Sequence, residues 1–261
     1  MNELKFSNGN AKLEKGIAIF SLPAGHSCPC ASLCKSKLVK KSGNAGGYGV
    51  QDGPDCKFRC FAATDEAMYP SVRKQRWHNF NLLKSCKSKG EMVEMIKTSL
   101  PQSTFNLPVR IHSSGDFFSQ MYLDAWIEVA KSFPERVFYG YTKSLHFLVK
   151  RLNVIPDNFR LTASYGGKFD SLIIKYNLKS ATVVFSVEEA QKLNLEIDHD
   201  DSLAYKGNNS FALLLHGSQP AGSPAASAWS ALKKIGIGGY DKQKSSRIKI
   251  KTGGGTTPAV A

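Results

Sequence analysis

The chain has 261 residues, of which 42% are hydrophobic and 21% are charged, as in an ordinary globular protein of one large or two small domains. No apolar run approaches the roughly 20 residues that cross a membrane, and the first residues lack the apolar core of a signal peptide, so we expect a cytoplasmic protein with reduced thiols. The formal net charge of +14 fits either contact with nucleic acid or a solvated basic surface.

The first predicted strand, residues 17–23 (IAIFSLP), leads into a loop at residues 25–62 that holds most of the cysteines. This loop contains Cys28, Cys30, Cys34, Cys56 and Cys60, and Cys86 stands alone further on. Grouped thiols are typical ligands of zinc and of iron–sulfur clusters. Disulfides and unrelated free thiols are the alternatives.

The spacing of the cysteines bears on which metal they would hold. The chain has none of the CxxC pairs that are usual in structural zinc sites. Cys28-x5-Cys34 and Cys56-x3-Cys60 suit a bulky cluster reached from a long loop better. The sequence therefore predicts a [4Fe–4S] cluster, with zinc as the alternative.

Between and after the cysteine groups, the pattern indicates one loop and three helical segments. A short helix is predicted at about residues 31–41, and the glycine-rich residues 43–54 are predicted to be a loop. A helix is predicted from Thr64, as its N-cap, with a break or restart at Pro70. Another helix is predicted after Gly90.

From residue 107 onward, strand-like and helical segments alternate. Strands are predicted at residues 108–112, 136–142, 159–165, 181–186 and 210–216, and helices at 119–133, 144–152, 169–177, 187–193 and 223–235. Together with the first strand, this alternation gives six parallel strands with right-handed crossovers. No GxGxxG follows a strand, which argues against a dinucleotide-binding sheet. We therefore predict an α/β fold, as a partial TIM-like (βα) barrel of about six parallel strands or as an open sheet.

The same pattern divides the chain into two parts. Residues 1–235 are expected to form a single α/β domain that includes the metal-binding loop. Residues 236–261 are basic and rich in glycine, and we expect this tail to be disordered.

Candidate site residues follow the predicted strands, because sites in parallel α/β folds lie at the carboxyl ends of the strands. They are His112, Ser114, Gly115 and Asp116 after the second strand, and Lys143 after the third. His112 is equally explained as a core histidine, and Asp116 as a helix cap or an ion-pair partner. Lys143 is suited to neutralise an anionic ligand.

Four stretches resemble the gene product 88 domain family of phages and plasmids. They are FSLPAGHSCPCASLCKSK, KFRCFAATDEAMYPSVRKQRWHNF, VRIHSSGDFFSQMYLDAW and FYGYTKS, within about residues 5–215. The resemblance implies that Cys28, Cys34 and Cys60 are the family's cysteines, and that three thiolates leave a fourth position open or filled differently. It also implies the cytoplasm of a host cell, if a phage encodes the protein.

The predicted layout is also similar to that of radical S-adenosylmethionine enzymes, which are partial βα barrels with three cysteines after the first strand. In that comparison, residues 114–116 (Ser-Gly-Asp) occupy the place of the Gly-Gly-Glu segment that binds the cofactor, so S-adenosylmethionine is a candidate cofactor. The CxxxCxxC motif of those enzymes is absent, because Lys37 and Ala63 stand where the third cysteine would follow.

Two hypotheses follow. In the first, the protein is an iron–sulfur enzyme in which His112, Asp116 and Lys143 place a small ligand at an open iron. In the second, it is a cluster- or zinc-stabilised accessory protein that binds nucleic acid without catalysis. The basic face of the second hypothesis would comprise Arg73, Lys74, Arg76 and the C-terminal lysines.

Overall fold

The computed structural model describes residues 3–9, 13, 16–42, 47–103 and 106–236. The strands are β1 (Ser7–Asn8), β2 (Ala18–Phe20), β3 (Ser36–Lys40), β4 (Tyr48–Asp52), β5 (Val109–Ile111), β6 (Phe138–Thr142), β7 (Phe159–Ser164), β8 (Ser180–Val184), β9 (Glu196–Ile197) and β10 (Phe211–Leu214). The helices are α1 (Phe61–Met68), α2 (Pro70–Ser85), α3 (Lys89–Ser99), α4 (Gln120–Ser132), α5 (Leu145–Leu148), α6 (Ser171–Lys175), α7 (Val187–Lys192), α8 (Ser202–Tyr205) and α9 (Pro224–Lys234).

The main sheet has eight strands in the order β1-β2-β5-β6-β7-β8-β10-β9. All neighbouring pairs are parallel except β1 and β2, which are antiparallel. The six predicted strands are β2, β5, β6, β7, β8 and β10, and they lie side by side in chain order. Phe20, Ile111 and Gly140 are paired across β2, β5 and β6, so the carboxyl ends of these strands lie at one edge.

The sheet is open among the described residues, because β1 and β9 form its two edges and do not pair with each other. The predicted α/β class with a mostly parallel sheet is confirmed, whereas a TIM-like barrel is not. The edge strands β1 and β9 were not predicted from the sequence, since each is only two residues long.

The cysteine loop contains a hairpin where a helix was expected. β3 and β4 pair in antiparallel fashion as a separate two-stranded sheet, so the predicted helix at 31–41 is wrong. The loop predicted at 43–54 is wrong where β4 lies, and residues 43–46 are outside the described residues. In β3, Ser36 and Leu38 are buried, and the residues between and after them are more exposed. This period of two is the pattern of a strand with one covered face.

Of the two predicted boundaries in the first helical region, one differs from the structure and one agrees with it. α1 begins at Phe61 with Cys60 as its N-cap, so the assignment of Thr64 as the N-cap is wrong. The predicted restart at Pro70 is confirmed, since Tyr69 separates the two helices and Pro70 is the first residue of α2.

The two faces of the main sheet have different surroundings. One face packs against α2, α3 and α4 around buried side chains such as Phe20, Tyr122 and Trp126. Val109 and Ile111 belong to this core, so Arg110 between them lies on the opposite face. That second face also carries a smaller cluster around Tyr139, Phe211 and α8.

No helix within the described ranges is both long and apolar enough to cross a membrane. The tail predicted at residues 236–261 lies outside the described residues, apart from Gly236.

Candidate functional site

A cavity of about 230 Å³ lies at the carboxyl ends of β2, β5 and β6 and extends along the second face of the sheet. The site residues predicted from the sequence all line it: Cys28, Cys34, Cys60, His112, Ser114, Gly115, Asp116 and Lys143. The fold therefore brings the cysteine loop and the strand-end residues to one place. This grouping follows from the rule that parallel strands end at the same edge.

Cys28, Cys34 and Cys60 are free thiols that interact electrostatically with one another. Burial is the main cause of the raised pKa of Cys28, and negative charge on Asp116, Cys60 and Cys34 adds to it. Burial also raises the pKa of Cys60 to about 12, with Cys34 contributing. Cys28 and Cys60 are therefore neutral at pH 7 unless a cation stabilises them as thiolates.

Cys60 occupies a position that partly offsets this effect. As the N-cap of α1, it lies beside the backbone N–H groups of Ala62 and Ala63, which lower its pKa although no full capping hydrogen bond forms. The nearby guanidinium of Arg76 lowers it further. A helix N-terminus and a cation both favour a thiolate.

The other three thiols have different surroundings and are not among the lining residues of the cavity. The Sγ atom of Cys30 is 3.5 Å from His146 Nδ1. Cys56 donates to the carbonyl oxygen of Phe58, and Cys86 is buried in the main core. Cys56 is close enough to Cys34 to interact with it electrostatically.

The three cavity cysteines suit a metal cluster in ligand type, because thiolates are soft ligands, and all three line the same cavity. Within the described residues, however, no group of three or more His, Cys, Asp or Glu side chains could hold a metal ion as it stands. The structure thus supplies neighbouring thiols but no formed metal site.

Asp116 is buried and joins the loops that follow β5 and β6. Its Oδ1 accepts hydrogen bonds from the Phe117 N–H and the Thr142 hydroxyl, both at 2.7 Å, and its Oδ2 accepts from the Lys143 N–H at 2.8 Å. Burial raises the pKa of the carboxyl, and these hydrogen bonds oppose that shift. Asp116 therefore fixes one side of the cavity rather than capping a helix.

Ser114 and Gly115 pack directly against the start of the cysteine loop. The Ser114 hydroxyl donates to the Leu22 carbonyl at 2.8 Å, and the Leu22 N–H donates to the Ser114 carbonyl at the same distance. Gly115 has a φ of +92°, and an added Cβ would lie 2.6 Å from both Leu22 Cβ and Ser27 Oγ. This segment has a packing role in addition to lining the cavity.

His112 lies at the end of β5 with a φ of +62°, which is uncommon for a residue other than glycine. Its Nε2 is 2.9 Å from the Tyr122 hydroxyl, and its ring contacts Phe117 edge-on. Burial, with a contribution from Arg110, lowers its pKa to about 3, so the ring is neutral at pH 7. Its Nδ1 is buried without a hydrogen-bond partner.

Lys143 is buried at the cavity edge, and its Nζ donates a hydrogen bond to the Ser164 hydroxyl. Ser164 also lines the cavity. Lys143 therefore presents a positive charge next to the carboxylate of Asp116, whose pKa it lowers.

The sequence-based prediction missed the inner part of the cavity, which Arg110, Tyr141 and Asp201 line. Arg110 Nη1 is 3.4 Å from Asp201 Oδ2, and the guanidinium lies over the Tyr141 ring at 4.2 Å. A charged residue between Val109 and Ile111 was the available signal, because the neighbouring positions on a covered strand are apolar.

The basic face predicted on α2 does not form. Arg76 is buried and ion-paired with Glu66 at 3.1 Å. Arg73 is half-buried and lies over the Tyr48 ring at 3.9 Å, which leaves Lys74 as the exposed residue of the three. Of the C-terminal lysines, Lys233 and Lys234 are exposed at the end of α9, and those beyond Gly236 lie outside the described residues. The described part of the chain therefore gives no support to a nucleic-acid interface.

A family model described as Gene product 88 matches residues 3–235, which is most of the chain. Comparison with curated proteins and comparison with solved structures each gave no match. The similarity of layout to radical S-adenosylmethionine enzymes is therefore not shown by any of these comparisons.

Proposed function

The chain belongs to the gene product 88 family, and we propose that it is an iron–sulfur protein that acts on a small molecule. Cys28, Cys34 and Cys60 hold a [4Fe–4S] cluster in this proposal, and the ligand occupies the adjoining cavity. The second face of the sheet then corresponds to the interior of a partial βα barrel, with the cluster at its C-terminal mouth.

The presence of three thiols in the lining of one cavity is the observation that supports this proposal. Cys28 and Cys34 precede the hairpin β3–β4, and Cys60 follows it. The hairpin therefore returns the chain to the first two cysteines, and Cys60 meets them at the start of α1. Three free thiols in mutual electrostatic contact are unfavourable as thiolates unless a cation binds them.

A [4Fe–4S] cluster with three protein ligands supplies electron transfer and one iron open to a further ligand. The chain's own residues then have separable roles. Asp116 holds the loops after β5 and β6 together. Lys143 supplies a positive charge at the cavity edge, and the neutral His112 supplies a ring nitrogen without a partner.

The test is the metal and sulfide content of the full chain purified without oxygen. We expect about four irons with matching sulfide per chain, and a large loss of both in Cys28→Ala, Cys34→Ala and Cys60→Ala. Cys86→Ala is the matched control, because Cys86 is also a free thiol but lies in the main core, away from the cavity. A colourless protein with about one zinc per chain would overturn the cluster and leave a zinc-stabilised protein.

S-adenosylmethionine is the first small molecule to test at the open position, since residues 114–116 follow β5 and line the cavity. Binding to the iron-loaded chain, and reductive cleavage once an external one-electron donor is added, would support a radical-type enzyme. If S-adenosylmethionine is neither bound nor cleaved, the proposal is restricted to an iron–sulfur protein with another ligand.

A further inference from the structure

Arg110 is a cation held on the second face of the sheet in the wall of the cavity. Its guanidinium lies 4.2 Å from the centre of the Tyr141 ring and 5.4 Å from that of Tyr139. Nη1 is 3.4 Å from Asp201 Oδ2. Aromatic stacking and one ion pair therefore fix the side chain in place.

The hydrogen-bond donors of this guanidinium are not all used. Arg110 Nε and Nη1 are both buried, and neither has a hydrogen-bond partner. Asp201 balances charge through a contact that is not a hydrogen bond. Buried donors without acceptors are rare in folded proteins, and stacking leaves the donor edge of an arginine available to a ligand.

A second unpartnered polar atom lies two residues further along the chain. His112 also lines the cavity, and its buried Nδ1 has no hydrogen-bond partner. Two unsatisfied polar side chains in the wall of one cavity indicate that the ligand, rather than the protein, completes their hydrogen bonds.

The charges and the walls of the cavity define the ligand further. Three cations line it, Arg59, Arg110 and Lys143, against the carboxylates of Asp116 and Asp201. Arg59 is already paired with Asp52 outside the lining, and Asp116 already accepts three hydrogen bonds, so Arg110 and Lys143 are the cations left for a ligand. The rest of the inner wall is largely apolar. Its apolar side chains include Leu13, Phe58, Phe61, Val183, Leu213 and Leu215.

We propose that Arg110 is the anchor for the carboxylate of a small organic acid whose apolar body lies against this wall. A carboxylate matches the paired donors of a guanidinium with two parallel hydrogen bonds. This inference rests on the proposed function in one respect, that the same cavity is the ligand site. It does not require the cluster.

The test compares a carboxylate with its neutral amide. We expect isothermal titration of the full chain, purified without oxygen, to show binding of 3-phenylpropionate with a Kd of about 1 mM or tighter. Binding of 3-phenylpropanamide should be at least about tenfold weaker. Arg110→Lys keeps the charge beside Asp201 but removes the paired donors, so it should lose a similar factor.

Arg151→Lys is the control, because Arg151 pairs with Asp124 and does not line the cavity. If Arg110→Lys does not fold, Leu213→Trp tests the site by filling part of the cavity with a larger side chain, and should abolish binding. Equal binding of acid and amide, no binding up to about 10 mM, or unchanged binding in the variant that folds would overturn the inference. Iron content is measured on the same samples, so arginine-dependent binding without iron would reject the cluster alone, and iron without binding would reject the anchor alone.

Discussion

The Asp116 carboxylate accepts a hydrogen bond from the Thr142 hydroxyl at 2.7 Å, and this bond joins the loops after two neighbouring parallel strands. The same carboxylate accepts the backbone N–H groups of Phe117 and Lys143. A residue that could be read as a catalytic acid thus holds the cavity wall in shape. Any chemical role of Asp116 must coexist with this one.

Replacement of Asp116 by asparagine should separate these effects. An amide has one acceptor oxygen instead of two, so one of the three donors loses its partner. We expect Asp116→Asn to lower the free energy of unfolding by about 1–3 kcal/mol, measured by denaturant titration at pH 7. Asp157→Asn, at an exposed aspartate, should change it by less than about 0.5 kcal/mol. Equal stability of the two variants would contradict the structural role.

His112 should make the protein sensitive to acid. Its pKa is about 3 in the folded state, against 6.5 for an unperturbed histidine. Between these values the unfolded chain binds a proton that the folded chain does not, so stability is present above about pH 6.5 and falls as the pH decreases. The expected slope is about 1.4 kcal/mol per pH unit from this residue.

His112→Asn isolates this contribution, because asparagine tolerates the left-handed backbone at this position. We expect the variant to be less stable at pH 7, since it loses the contact with Tyr122. Its stability should fall less steeply than that of the wild type between pH 6.5 and pH 4.5, when both are followed by denaturant titration. Parallel curves would show that His112 is not the group responsible.

The sequence allowed the six main strands and the edge that carries the site to be predicted. A helix between each pair of apolar strands makes the strands parallel, and parallel strands all end on the same side of the sheet. The hairpin β3–β4 was missed because β3 contains Lys37 and Lys40, the two strands flank a glycine-rich stretch, and Ser36 is polar although buried. Such short polar strands are determined by what covers them, which local sequence does not show.

Buried charges were the second class of residue that the sequence did not place. Charges on a helix such as α2 usually face water, so Arg76 was assigned to a basic surface. Arg110 was not singled out, because one polar residue in a strand usually marks the solvated face. Asp201 is remote from Arg110 in sequence, and Glu66, on the preceding helix α1, meets Arg76 only because α1 and α2 pack together.

Removal of one partner of the Glu66–Arg76 ion pair should strongly destabilise the protein. Glu66 is fully buried and also accepts the Ala24 N–H at 2.7 Å, so removing its cation leaves a buried charge without compensation. We expect Arg76→Met to lower the free energy of unfolding by about 3–5 kcal/mol, and Lys74→Met, at an exposed position of the same helix, to change it by less than about 0.5 kcal/mol.

A double variant tests the cause of that loss. Glu66→Gln in the Arg76→Met background removes the unpaired charge and keeps an acceptor for Ala24, so part of the stability should return. If the double variant is as unstable as Arg76→Met alone, loss of packing rather than an uncompensated charge is the cause.

A side chain at Gly115 should disturb both the packing of the strand ends and metal binding. Gly115→Ala places a Cβ 2.6 Å from Leu22 Cβ and from Ser27 Oγ, at a φ of +92° that side chains rarely adopt. We expect it to lower the free energy of unfolding by about 2–5 kcal/mol, through overpacking and backbone strain together. Gly222→Ala shares a positive φ but meets no atom within 4 Å, so it should lose only the backbone part, about 1–2 kcal/mol. Because Ser27 adjoins Cys28, Gly115→Ala should also reduce iron content relative to Gly222→Ala when both are purified without oxygen, and equal iron in the two would show that the cysteine loop does not depend on this contact.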